Sequence, residues 1–191
     1  ERALEAYKRP AEFTDSQVYA YALYKQGWCY FNMADYAAAK DKFKTVVLYG
    51  ELADSAMEKD GGKSKKGRLA KEARADYVRT YAREGDVMQA RADFSKVATK
   101  PEDRFTMMKQ LANIYYGDGK DREAAITFNQ LIKEKPLSPE SPGFQAKIVD
   151  CVLRMGNKER TVRQVRRLVK ITKEVEGSGI IKEEKDKKLL E

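Results

Sequence analysis

The sequence predicts an all-α fold: antiparallel helix pairs stacked as a solenoid. Three observations carry that prediction. Tyr81, Gly85, Ala90, Phe94 and Val97 in YAREGDVMQARADFSKV recur 34 residues later as Tyr115, Gly119, Ala124, Phe128 and Leu131 in YYGDGKDREAAITFNQL. Five columns agreeing at one period mark an internal repeat. Proline is rare (5), whereas alanine, lysine, glutamate and leucine are frequent, which favours helix over strand. No segment shows the strict apolar–polar alternation of a half-buried strand.

The elements follow in chain order. Ala3 and Tyr7 reproduce the Ala39/Phe43 spacing 36 residues upstream, so residues 1–14 read as the second helix of a repeat whose first helix is missing. Repeat 1 spans 15–51, with Tyr30, Ala34, Ala39, Phe43 and Val46 in the columns, 51 residues before the next set. The excess of 17 over the period predicts an insertion, 52–70, whose flexible part is EKDGGKSKKGR, Glu58 to Arg68. Repeat 2 spans 71–104 and repeat 3 spans 105–138. A divergent repeat 4, 139–175, places Val152, Gly156, Thr161, Val165 and Leu168 in the columns. Residues 176–191 read as a capping helix or as the start of another repeat. Each repeat is expected to hold two helices of roughly twelve to eighteen residues. The joining turns are Ala34-Asp35, Gly85-Asp86, Gly119-Lys120 and Gly156-Asn157. Glycine suits the left-handed residue that ends a helix, and Asp35, Asp86 and Asp121 can cap the helix that follows.

A period of 34, Gly27-x-x-Tyr30 in a first helix, a Gly-Asp turn and Ala-x-x-x-Phe in the second helix resemble the tetratricopeptide repeat. Pro136, after FNQLIKEK, falls where that family often closes a repeat. The first-helix glycine is kept only as Gly27; Val78, Ala112 and Val149 replace it. The resemblance implies a right-handed superhelix whose first helices line a concave groove, and a protein-binding scaffold rather than an enzyme. YALYKQGWCYF and DYAAAKDKF also resemble repeats of bacterial cell-envelope proteins, partners of outer-membrane and Tol-Pal-type machinery. That implies a periplasmic or envelope setting, with cytoplasm as the alternative.

Helical spacing sorts the side chains into faces. Leu23, Gly27 and Tyr30 form a stripe toward the second helix, where Ala39, Ala90 and Ala124 are the small partners. Phe43, Phe94 and Phe128 are expected to fill the space between repeats. Cys29 and Cys151 share a column with Thr80 and Ile114, which reads as buried structural thiols too far apart for a disulfide.

The adjoining stripe is the groove that the resemblance implies. It holds Tyr21, Tyr24, Trp28, Phe31 and Asn32, then Arg79 and Arg83, then Lys109, Asn113 and Tyr116, and finally Arg154. Aromatic residues and arginine are common interface anchors, so the expected partner is a protein or peptide with apolar and acidic residues. Two other coverings stay open for the rings: a missing preceding repeat, or the helix of residues 1–10. Lys109 and Asn113 have the spacing seen in family members that clamp C-terminal carboxylates, but only that half of the clamp is present.

Composition excludes several classes. There is no histidine, and the two cysteines form no Cys-x-x-Cys pattern. That removes Ser-His-Asp and Cys-His catalysis and most zinc sites, so no catalytic residue, metal or cofactor is expected. DGGKSKKG contains Gly-Lys-Ser, but Met57 stands where a phosphate-binding loop needs its first glycine. The net charge of +8 permits an acidic partner. It leaves one alternative function: a basic helical module binding nucleic acid or another polyanion through ERTVRQVRRLVK. No membrane-spanning run is present. The opening ERALEAYKRP, without an initiator methionine, predicts a fragment of a longer protein.

Overall fold

Small residues and phenylalanines at the repeat columns set how closely the helices pack. A computed structural model describes residues 2–16, 18–57 and 65–180. Its helices are α1 (Arg2–Lys8), α2 (Tyr19–Asn32), α3 (Tyr36–Met57), α4 (Lys65–Glu84), α5 (Ala90–Ser95), α6 (Pro101–Gly117), α7 (Asp121–Glu134), α8 (Ser141–Arg154) and α9 (Lys158–Gly177). A short 3-10 turn, Arg9–Glu12, follows α1. No strand occurs among the described residues, so the fold is all-α, as expected. The middle of the insertion, 58–64, and the tail, 181–191, lie outside the described residues. The chain divides into two compact units, Glu1–Met107 and Met108–Glu191.

In the N-terminal unit α2 runs antiparallel to α3. The Tyr19 and Tyr49 rings meet at one end with centroids 5.2 Å apart, and Phe31 meets Tyr36 at the other, 5.6 Å apart. Between them Gly27 lies against Phe43, so close that a Cβ on Gly27 would stand 2.6 Å from Phe43 Cε1. The close approach expected at this glycine is therefore present, and the group filling it is the Phe43 ring. Tyr30, expected to seal the contact, is only half-buried, whereas its column partners Tyr81 and Tyr115 are buried. Antiparallel packing of α3 on α4 is marked by Lys40–Glu84 at 3.8 Å and Arg74–Glu51 at 3.0 Å. Arg74 also reaches Asp103 at 2.7 Å, and the Thr99 hydroxyl donates to Glu51 at 2.9 Å. One guanidinium thus ties α3, α4 and the start of α6. Phe94 of α5 packs on Tyr77 and Tyr81 of α4.

In the C-terminal unit Phe128 of α7 lies between Tyr116 of α6 and Phe144 of α8, with centroids 6.2 and 5.8 Å away. Here the repeat-column ring does bridge two helix pairs. Phe43 and Phe94 meet rings of their own pair instead. The α9 helix returns antiparallel along α8, with Gln145 Nε2 donating to the backbone oxygen and Oε1 of Gln164 at 3.1 and 2.9 Å. The Asn157 side chain accepts the Arg160 N–H at 2.9 Å and caps α9.

Several local expectations need correction. The α5 helix has 6 residues rather than twelve or more. At its start Asp86 accepts the Met88 N–H at 2.8 Å and the Gln89 N–H through its carbonyl, which spends the chain in turns before Ala90. Beyond its end Pro101 begins α6 as a first-turn proline. Conversely α3 and α4 have 22 and 20 residues, so helix occupies both ends of the insertion, including Lys65 to Arg68. Gly85 is not in the left-handed region, unlike Ala34, Gly119 and Gly156. A Cβ on Gly85 would fall 2.3 Å from the Tyr81 ring, whose hydroxyl reaches over it to the Asp86 carbonyl at 2.8 Å. Asp35 caps α3 through the Ala38 N–H at 3.0 Å, but Asp121 makes no cap; it lies inside α7 and accepts from Arg154.

Two stability measurements test this packing. Gly27→Ala is expected to lower stability by about 1–3 kcal/mol, because the fully buried Phe43 has little room to give. Ala34, at φ 60°, holds a left-handed conformation that costs a side chain about 1 kcal/mol. Ala34→Gly is therefore expected to raise the urea midpoint and leave the far-ultraviolet circular dichroism unchanged. A loss of stability on that change would show that the turn is not the strained element.

Candidate functional site

The sequence-predicted groove residues fall on two faces, one in each unit. In the N-terminal unit they lie on α2 and α4. Tyr21 is 49% exposed, and the Lys25 ammonium sits 5.1 Å from its ring centroid. Tyr24 and Trp28 are half-buried, and α4 supplies what covers them. Tyr24 donates its hydroxyl to Asp76 Oδ2 at 2.7 Å. Arg79 donates to Asp76 Oδ1 at 2.9 Å and holds its guanidinium 5.6 Å from the Trp28 ring. Beneath, Trp28 packs edge-on to Phe31 and Phe43. Asp76 is the buried hub of this arrangement, and both of its oxygens accept bonds. Asn32 and Arg83 complete the face; both are exposed, and Arg83 has no side-chain partner among the described residues.

In the C-terminal unit the face is formed by α6 and α8. Lys109 pairs with Glu140 at 2.7 Å. Asn113 accepts from Lys147 at 2.6 Å and donates to the Lys109 carbonyl at 2.9 Å. Both members of the half-clamp are thus engaged within the protein. Tyr116 donates to Asp150 Oδ2, and the Arg154 guanidinium carbon lies over its ring, 4.4 Å from the centroid. Arg154 Nε also donates to Asp121 at 2.8 Å, and its Nη1 to Asp150 at 2.9 Å. Lys109 is thus paired with the residue just before α8, and Arg154 with one carboxylate of α7 and one of its own helix.

Sequence reasoning places the rings and cations on these faces but misses their acceptors, Asp76 and Asp150. It singles out the arginines of ERTVRQVRRLVK but misses that Arg160, Arg163 and Arg167 line a cleft between α7 and α9 opposite Arg122. Of the two cysteines, both free, Cys29 is half-buried and Cys151 is fully buried, where burial pushes its thiol up to about 11. No cluster of histidine, cysteine or carboxylate able to hold a metal occurs among the described residues. No helix among them is long and apolar enough to cross a membrane.

The tetratricopeptide repeat family matches the chain at residues 21–49 and 110–138. The first match covers most of α2 and the first part of α3; the second covers the end of α6 and α7. They support a tetratricopeptide repeat at each place, and the fold is an all-α array of that kind. No curated protein and no solved structure matched the chain. The finer resemblance to cell-envelope proteins therefore gains no support from relatives.

Two phenols of the N-terminal unit, the half-buried Tyr24 and the buried Tyr77, predict an alkaline instability. Burial above all, with the Asp76 carboxylate adding, pushes the Tyr24 hydroxyl up to about 12. Burial, with Asp93 nearby, does the same for Tyr77. The folded chain keeps these protons above pH about 10, where an unfolded tyrosine begins to lose its own. Their contribution is whole below pH about 10 and is lost as pH rises through about 12. The urea midpoint is expected to fall across that window, and to fall less steeply in Tyr24→Phe/Tyr77→Phe. An identical slope in the double variant would assign the loss to other groups.

Proposed function

We propose that the protein is a non-enzymatic scaffold that binds a protein partner through the α2/α4 face of its N-terminal unit. Tetratricopeptide repeats generally mediate protein–protein contacts. One observation carries the choice of face: a half-exposed ring stripe, Tyr21–Trp28–Phe31, meets Arg79 of α4, and one turn further along α4 stands Arg83, exposed and without a side-chain partner among the described residues. The rings supply area with little entropy to lose, since Arg79 and Asp76 already hold Tyr24 and Trp28 in place. Arg83 supplies a free guanidinium for a carboxylate. The α6/α8 face is a weaker candidate, because Lys109, Asn113, Tyr116 and Arg154 are already engaged with neighbours inside the protein. A partner with an apolar anchor and an acidic residue beside it fits these features. Placing the scaffold in a bacterial envelope complex rests only on the resemblance of YALYKQGWCYF and DYAAAKDKF.

Trp28 is the single tryptophan, so its emission reports on this face directly. A protein co-purified on the tagged chain is expected to shift that emission to the blue. Tyr21→Ala/Arg83→Glu should weaken capture at least about tenfold without changing the melting temperature. Capture that survives the double change with an unaltered spectrum would move the binding site off this face. A chain that captures nothing from its source would remove the scaffold reading.

A further inference from the structure

We infer that the cleft between α7 and α9 is a second binding site, for an acidic peptide segment with aliphatic side chains. It shares no residue with the α2/α4 face and does not rest on that reading.

The cleft arises from helical spacing. On α7 the residues Arg122, Ala125, Ile126 and Asn129 lie at steps of three and four, so they share one face. On α9 the same spacing aligns Arg160, Arg163, Gln164 and Arg167. These helices flank α8, whose Ile148 and Val152 form the floor, with Met155 at one end. The cleft is open to solvent and its volume is about 640 Å³, enough for a few side chains of a partner.

Its charge is one-sided. No carboxylate lines the cleft. None of the four guanidiniums has a hydrogen-bond or ion-pair partner among the described residues. On the α6/α8 face of the same unit two cations are answered, Lys109 by Glu140, and Arg154 by Asp121 and Asp150. Like charges three and four apart on α9 repel one another, as Arg160, Arg163 and Arg167 do. An anionic ligand would relieve that repulsion and use the planar, two-pronged geometry that guanidinium offers a carboxylate.

The floor decides which anion. Ile126, Ile148, Val152 and Met155 are aliphatic or thioether, and no ring is present to stack a nucleobase. A nucleic acid would use the arginines and leave this floor unmatched. Leucine-like side chains flanked by aspartate or glutamate match both floor and rim.

The test uses the full chain and a short fluorescein-labelled peptide of alternating Glu-Glu and Leu-Leu pairs, followed by anisotropy. Competitors are the same peptide with glutamine for glutamate, and a single-stranded oligothymidylate. Arg163→Glu/Arg167→Glu is expected to weaken peptide binding about a hundredfold, by roughly tenfold for each charge-assisted hydrogen bond removed. Lys173→Glu, a charge change on α9 outside the cleft, should leave it unaltered. If the double variant melts early, Arg122→Glu on the opposite wall gives the same reading, with about a tenfold weakening expected. Equal binding by the folded cleft variants, equal competition by the glutamine peptide, or tighter binding of oligothymidylate would each overturn the proposal.

Discussion

A phenylalanine with no exposed surface stands at the same repeat column three times, as Phe43, Phe94 and Phe128. A two-helix hairpin is too thin to enclose such a ring by itself, so each must take atoms from everything near it. Phe43 takes the space left by Gly27 and the flanks of Tyr24 and Trp28. Phe94 takes Tyr77 and Tyr81. Phe128 takes Tyr116 and then Phe144 from the following helix. The ring stripe of α2 is half core for this reason. Its inner edge closes over Phe43, and only its outer edge is left for a partner.

Carboxylates do the second part of the work. Asp76 accepts from Tyr24 and Arg79, and Asp150 accepts from Tyr116 and Arg154. In each unit a phenol on one first helix meets a carboxylate on the next, and an arginine one turn on from that carboxylate lies over a ring of the first. The two cases use different repeat columns, so this is shared chemistry rather than inherited position. Asp76 is buried with both oxygens occupied, so removing one donor would strand it, whereas Asp150 is half-exposed and takes both bonds on Oδ2. The rings these carboxylates hold are thereby pre-positioned, which lowers the entropy a partner must overcome.

The fold is largely legible in the sequence because its signals are local or periodic. Gly119 and Gly156 announce left-handed turns, Asp35 announces a cap, and the phenylalanine column announces the core. What escapes depends on contacts between residues far apart in the chain. Asp121 reads as a cap by position, but Arg154, 33 residues on, claims its carboxylate. Lys109 and Asn113 read as a free half-clamp, yet Glu140 and Lys147 occupy them. The brevity of α5 follows from bonds at Asp86 that compete with the helix, a competition that spacing cannot rank. Gly85 reads as a left-handed turn residue, although its role is to leave room for the Tyr81 ring.

The excess charge of the chain, +8, can be traced on the same basis. On the α6/α8 face Lys109 and Arg154 are matched by carboxylates within the protein, so that charge is internal and gives little outward field. On the α2/α4 face Arg79 is matched and Arg83 is not. On α7 and α9 Arg122, Arg160, Arg163 and Arg167 are unmatched among the described residues and line one cleft with an aliphatic floor. A basic composition alone would favour any polyanion. Of these three surfaces, two set apolar groups beside a guanidinium that has no partner among the described residues. Apolar contact beside a charge-assisted bond is the chemistry of a protein partner, whereas a phosphate backbone asks for charge without it.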